Sequence, residues 1–321
     1  MATPLMRDGL AYELQFSTSH LGHFQLTTRF WDVLAATLTT RVAVFSLLVL
    51  VALLLAALWQ LRHYRAKFEQ TGLLHAWPIP KVSAGEIDES LAPGDLGPLP
   101  RTETIFLPEL NVVGGISDFE TWVLTAVAKK AHRIFEFGTC TGKTTYLLAR
   151  NAPPDAHVTT LTLPPDQRQA YVSGAGDSRE DRSAALEESA FTSFLYEGTT
   201  VASRIEQLYE DSKIFDETPY VDRCDLIFID GAHAASYVES DTRKALRMVK
   251  PGGLIFWHDY RGPTRSPGVF RTLNKLAREL PLRHIAKTSL VFWRRGGTSP
   301  SEEMGCETAG PALERKEGPG S

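Results

Sequence analysis

Hydrophobic positions fall into two regimes along this chain. From Val42 to Trp59 the residues are apolar apart from Ser46 and carry no charge. At about 1.5 Å per residue such a run spans roughly 27 Å, close to a bilayer core, and it predicts a transmembrane helix over 42–60. Upstream, Phe24 to Leu38 places Phe30, Trp31, Val33, Leu34 and Leu38 where an interfacial helix, or the start of the same anchor, would need them. Beyond residue 105 the regime changes to short apolar runs alternating with helical periods. Ile134 to Phe137 and Leu226 to Ile229 have the length of buried strands. Tyr237, Val238, Ala245, Leu246 and Val249 recur at helical spacing. Lys250-Pro-Gly-Gly253 then makes a turn into a further apolar strand, Leu254 to Trp257. Ser117-Asp-Phe-Glu120 reads as a capping box opening a helix to about Ala131. Strand, helix, strand in this rhythm predicts an α/β fold on a parallel, doubly wound sheet.

The segments between are of other material. Residues 61–104 are rich in Pro, Gly and acids and predict an extended linker. Residues 165–200 show no clear period and read as a long insertion or lid. From about Gly296 the composition cannot bury a core, which predicts a disordered tail over 297–321. The organisation expected is therefore an N-terminal segment (1–41), the span (42–60), the linker (61–104), a folded domain (105–296) and the tail. Arg62, Arg65 and Lys67 follow the apolar run closely while Arg29 and Arg41 precede it, so the positive-inside rule puts the C-terminal side in the cytoplasm.

Composition narrows the classes of function. The chain has 321 residues, 43% of them hydrophobic, and a net charge of −4 with no basic block, so nucleic-acid binding has no electrostatic support. The three cysteines, Cys140, Cys224 and Cys306, are widely spaced and read as reduced structural thiols; no Cys/His cluster supports zinc.

The densest chemical signal is Arg133-Ile-Phe-Glu-Phe-Gly-Thr-Cys-Thr-Gly-Lys-Thr-Thr145. Strand, glycine turn and helix together present backbone N–H groups to a small ligand. A dinucleotide fingerprint requires G-x-G-x-x-G, and a phosphate loop requires four residues before Gly-Lys-[Ser/Thr]; here Gly138 and Gly142 are separated by three. Two further strands end in polar groups, at Asp230-Gly-Ala-His233 and at His258-Asp259-Tyr260. In open α/β sheets ligands bind at those ends.

The ordered motifs E-F-G-T-x-x-G-K-T-T, T-L-T-L-P-P, D-L-I-F-I-D-G-A-H, S-D-T-x-x-A-L, K-P-G-G and W-H-D-Y, from about Phe106 to Trp293, resemble one family of class I S-adenosylmethionine (SAM)-dependent methyltransferases. The D-x-x-H pair and the later aspartate are also similar to macrolide-sugar O-methyltransferases. The resemblance implies a Rossmann-like sheet whose cofactor contacts are Glu136, Gly138, Thr139, Gly142, Thr162, Asp211 and Ser212. It implies His233 as a general base with Asp230 and Asp259 beside it, and Mg²⁺ held by those two aspartates. It also implies a hydroxyl acceptor on a sugar, lipid-linked glycan or secondary metabolite, and Thr288 to Arg294 as a closing antiparallel strand. Two departures stand out. Thr162 replaces the family's ribose-binding acid, for which Asp166 is a nearby substitute, and His258 replaces an acid of the sugar enzymes. A P-loop NTPase or kinase and a degenerate anchored binding module are the rival readings. The pattern does not decide between a monomer and a homo-oligomer.

Overall fold

The computed structural model describes residues 21–70, 77–109, 113–167 and 171–296. They form two units, one up to Arg65 and one from Ala66. The first is the bulk of a 50-residue helix, α1 (Leu21–Gln70). Within it the stretch Trp31–Arg62 holds an 18-residue window of mean hydropathy 2.9, and every side chain of that stretch is exposed. The helix is longer than the expected 42–60, and residues 24–38 belong to the same continuous element rather than to a separate interfacial helix. By length and composition this stretch could cross a bilayer. The expected tail over 297–321, with Cys306, lies outside the described residues, as do residues 1–20 of the N-terminal segment.

The second unit is a mixed eight-stranded sheet with helices on both faces. Its elements run β1 (Lys81–Val82), α2 (Asp118–Ala128), β2 (Arg133–Phe137), α3 (Lys143–Asn151), β3 (His157–Thr162), α4 (Arg179–Glu188), β4 (Ile205–Tyr209), β5 (Cys224–Ile229), α5 (Ala235–Met248), β6 (Val249–Trp257), α6 (Pro267–Leu276), β7 (Arg283–Ile285) and β8 (Val291–Arg294). The strand order is β1-β7-β8-β6-β5-β2-β3-β4. Strands β4, β3, β2, β5 and β6 are parallel, and β8 enters antiparallel between β6 and β7. The central strands alternate their side chains between two buried layers. Ile134, Leu226, Phe228, Leu254 and Phe256 pack on one face with α2 and α3, while Phe135, Phe137, Ile227, Ile229, Ile255 and Trp257 pack on the other with α5 and α6.

Two expectations are corrected. Residues 77–104, read as part of an extended linker, instead fold onto the sheet: Ile79, Ile87 and Leu91 are buried, and β1 pairs with β7 at the edge. Prolines at 78 and 80 are compatible with an edge strand, which leaves one row of backbone groups unpaired. The aperiodic stretch 165–200 contains α4, opened by a second capping box in which Ser178 and Asp181 exchange bonds.

The site lies where β2 and β5 lie side by side. β2 leads through α3 to β3 on one side, whereas β5 leads through α5 to β6 on the other, so the chain diverges there and leaves a crevice. The two strand ends meet closely: the Asp230 N–H donates to the Phe137 carbonyl at 2.9 Å. Gly138 follows with φ +102°, and a Cβ on it would stand 2.2 Å from the Asp230 carbonyl oxygen. Gly138→Ala is expected to lower unfolding stability by about 3 kcal/mol or more, from the left-handed backbone and the collision together. A denaturant titration giving a loss below about 1 kcal/mol would show that the strand ends part easily.

Candidate active site

A cavity of about 300 Å³ opens at this crevice. Its floor is the glycine turn, its sides are the ends of β3, β4, β5 and β6, and its cover comes from the insertion through Tyr171, Ala185, Glu188 and Ser189. Of the expected cofactor residues, Gly138, Thr162, Asp211 and Ser212 line it. Asp211 is fixed by the Tyr237 hydroxyl, which donates to it at 3.0 Å, and by the Lys213 N–H at 2.9 Å.

Glu136, Thr139 and Gly142 do not line the cavity. Side chains alternate along β2, so the residue before Phe137 points to the opposite face. There Glu136 is fully buried and accepts hydrogen bonds from the hydroxyls of Thr145 and Thr160, the latter at 2.7 Å. Its other oxygen has no partner among the described residues. Burial pushes its carboxyl up to about 8, against the pull of the two threonines. The Thr139 hydroxyl is shared with Thr160 at 2.8 Å and with Gln207 at 3.1 Å. Gly142 begins α3 in a left-handed conformation beside the Phe194 and Tyr196 rings, where a Cβ would come within 2.9 Å of both. These three residues shape the turn and leave the ligand face to Gly138. Lys143 donates to the Pro108 carbonyl at 2.9 Å, so its ammonium is held outside the turn instead of reaching over it as a phosphate loop's lysine does.

The three expected catalytic residues do converge. Asp230, His233 and Asp259 each bring a ligand atom within 4.8 Å of the others. Asp259 has φ +61°, a left-handed backbone that aspartate tolerates better than most residues, directly after β6. Its carboxylate meets His233 Nε2, Arg261 Nε at 2.7 Å and His258 Nδ1 at 3.4 Å. His258 Nδ1 also donates to Asp230 at 2.8 Å, and its Nε2 faces Glu120 at 3.5 Å. Glu120 is the capping-box acid of α2. One of its oxygens takes the Ser117 N–H at 3.0 Å and the Ser117 hydroxyl at 2.7 Å, while the other takes the Ser289 N–H at 2.6 Å.

The electrostatics follow from burial and pairing. Burial alone would pull both histidines down. The Asp259 carboxylate reverses this at His233, which stands at about 9, and Asp230 with Asp259 hold His258 well above its usual range. Asp259 is held well below the usual carboxylate range by the two imidazoliums, despite burial that would raise it. Glu120 is likewise lowered, its burial offset by His258 and Ser117. Three acidic side chains (Glu120, Asp230, Asp259) thus face two histidines and an arginine (His233, His258, Arg261) in one contiguous set of contacts.

Some cavity residues carried little or no signal in the sequence. Asp241, the acid of the S-D-T-x-x-A-L motif, is buried, lines the cavity and has an oxygen with no partner among the described residues. Burial pushes it up to about 7 against the Ser212 hydroxyl. Its i, i+4 spacing from Tyr237 on the inward face of α5 was the available clue. Glu188 has no clue at all. It reaches the cavity from α4, and burial raises it to about 7 against the opposing pull of His233. Beside Thr162, whose carbonyl accepts the Glu210 N–H at 3.0 Å, Glu210 joins the expected Asp211 as a lining acid, whereas Asp166 does not line the cavity.

Residues 135–260, the span from β2 to the end of β6, match the family described as "Methyltransferase domain". No curated protein matches the sequence at a significant level. Among solved structures, the SAM complex of the O-methyltransferase TomG from Streptomyces achromogenes, involved in tomaymycin synthesis, is 22% identical over 59% of this chain and 84% of that one, with a TM-score of 0.39. The SAH-bound (S-adenosylhomocysteine) methyltransferase PaMTH1 of Podospora anserina is 17% identical over 57% and 80%, TM-score 0.40. The O-methyltransferase NovP is 14% identical over 56% and 81%, TM-score 0.44. These scores carry no argument by themselves; the domain match does. The folded unit is a class I SAM-dependent methyltransferase domain. The P-loop reading falls with that match and with the placement of Lys143.

Burial of Glu136 has a pH consequence. Its folded value of about 8 lies above the ordinary 4.5, so its stabilising protonated form is fully present below about 4.5 and is lost as pH rises through 8. The wild type is expected to lose stability across pH 5–8.5 relative to Glu136→Gln, whose curve should be flatter. Parallel curves for the two would show that Glu136 titrates normally.

Proposed function

We propose that this chain is a membrane-anchored O-methyltransferase whose catalytic domain, residues 105–296, faces the cytoplasm. The observation that carries the reading is the carboxylate–imidazole cluster across one cavity from the glycine turn. SAM supplies a methyl group activated by its sulfonium. The backbone at Gly138, with Thr162, Glu210, Asp211 and Ser212, would hold it; Glu210 provides the carboxylate that Thr162 lacks, and the unpartnered Asp241 oxygen provides a further acceptor. Those residues fit a cofactor rich in donors. The intact cavity and this replacement acid speak against a degenerate binding module.

His233 is the base for the acceptor hydroxyl, and Asp259 orients it. Because His233 stands at about 9, the competent neutral form is scarce at pH 7 and grows as pH rises. Mg²⁺ fits the cluster poorly. A hard cation prefers an oxygen shell, and here both aspartates already face His258, His233 and Arg261, with carboxylates and protein cations in balance. We infer a metal-independent reaction in which Asp230 and Asp259 position the histidines. The acceptor is a hydroxyl on a sugar, lipid-linked glycan or secondary metabolite.

Calorimetry should detect binding of SAM and SAH, and none of ATP with Mg²⁺; the reverse result would remove the assignment. Once an acceptor is in hand, His233→Ala should lower kcat by on the order of 10²–10⁴ with SAM affinity kept. Wild-type kcat/KM should climb with pH toward about 9. Asp259→Asn should shift that rise to lower pH while reducing the plateau, since the neutral amide no longer stabilises the imidazolium. Activity should survive EDTA; loss restored by added Mg²⁺ would return the metal to Asp230 and Asp259.

The anchor has its own test. The full-length chain should stay with membranes through carbonate extraction, while a chain beginning at residue 75 should be soluble. The exposed apolar stretch Trp31–Arg62 supports this. A fusion reporter placing residue 110 outside the cytoplasm would overturn the orientation.

A further inference from the structure

A second cavity, of about 480 Å³, adjoins the first and shares Gly115 and Arg261 with it. Its cations are Lys81, Arg261, Arg265 and Lys287, gathered from β1, the segment after β6 and the turn before β8. Its acids are two. Glu120 is engaged by Ser117, Ser289 and His258, which leaves Glu109 at the rim. Arg265 and Lys287 are exposed and have no ion-pair or hydrogen-bond partner among the described residues. A chain of net charge −4 thus concentrates cations in one concave place. The aromatic wall is Trp77 stacked on His284, ring centroids 5.8 Å apart at 13°. His284 Nε2 donates to the Thr288 carbonyl at 2.8 Å, which leaves Nδ1 as the acceptor, and that buried atom has no partner. Nothing among the described residues donates to it, so it is open to a hydrogen bond from a donor that reaches it.

We propose that this groove is the acceptor subsite, and that the acceptor is a phosphate-bearing polyol, free or as a lipid headgroup. The cations take the phosphate oxygens by charge-assisted bonds. The flat Trp77 face takes the polyol's apolar side, and His284 Nδ1 accepts from one of its hydroxyls. Arg261, on the boundary, leads toward His233 through Asp259. The inference rests on the methyltransferase reading and supplies its acceptor class. Trp77 and Lys81 follow the apolar helix closely in sequence, which makes a headgroup source a direct arm of the test.

The full-length, SAH-loaded chain in neutral detergent is titrated with glycerol 3-phosphate and inorganic phosphate by calorimetry, and bound phosphatidylglycerol against phosphatidylcholine is counted by native mass spectrometry. At least one phosphoester should bind. The double variant Arg265→Gln/Lys287→Gln should weaken it about tenfold or more, while Arg150→Gln, a cation on α3 away from the groove, should leave it unchanged. Binding of the soluble phosphate alone assigns a free acceptor, and binding of phosphatidylglycerol alone assigns a headgroup. No phosphoester binding, or equal binding by the double variant, overturns the groove even where SAH binding is intact. Loss of SAH binding with phosphoester binding kept would instead sink the methyltransferase reading and leave the anion site standing.

Discussion

The Asp259 carboxylate is the contact on which the charged half of the cavity depends. It sits at the end of β6 on a left-handed backbone and meets two imidazoles and a guanidinium in a space largely closed to water. Buried charges of this kind are costly unless each is paired, and removing one member leaves the others uncompensated. The cluster is therefore an all-or-none assembly. It also spans the fold, because Glu120 at the start of α2 and Ser289 before β8 close it from behind. Elements far apart in sequence are joined through a few polar atoms, which fixes the ends of β5 and β6 relative to each other.

The two halves of the cavity use different physics. On the side of the glycine turn the chain offers backbone, short polar groups and acids, admitted by the close approach at Gly138. On the side of β5 and β6 it offers titratable groups whose values are set by one another. Glu136 shows how the division arises. Its position in the glycine motif suggests a ligand contact, yet strand alternation turns it into the opposite layer, where Thr145 and Thr160 hold it. An acid with a carboxyl near 8 in that layer makes the turn rigid without touching a ligand.

Arg261 joins these halves to the second groove. It neutralises Asp259 on one side and lines the basic cavity on the other. Where sugar enzymes of similar motif order carry a further acid, this chain has His258, and the local charge balance is met by protein cations. Arg265 and Lys287, which line the second groove, take no part in that balance.

The sequence by itself determined the layout. Unbroken hydrophobicity from Val42 to Trp59, the alternation of short apolar runs with helical periods, the glycine spacing and the polar strand ends are local or periodic signals, and each follows from what a backbone segment must bury or satisfy on its own. They marked the apolar helix, the parallel sheet, the glycine turn and the group Asp230, His233 and Asp259. Tertiary structure decided what has no local signature. It chose the face on which Glu136 points, and it brought Glu188 from an aperiodic insertion and Asp241 from a helix to the cavity. It made the capping acid Glu120 a partner of His258, and it folded residues 77–104 onto the sheet edge, where Lys81 meets Arg265 and Lys287 in one groove. The physical reason is the same in each case: burial and pairing are properties of the assembled surroundings, set by groups tens to hundreds of residues away, and no window along the chain contains them.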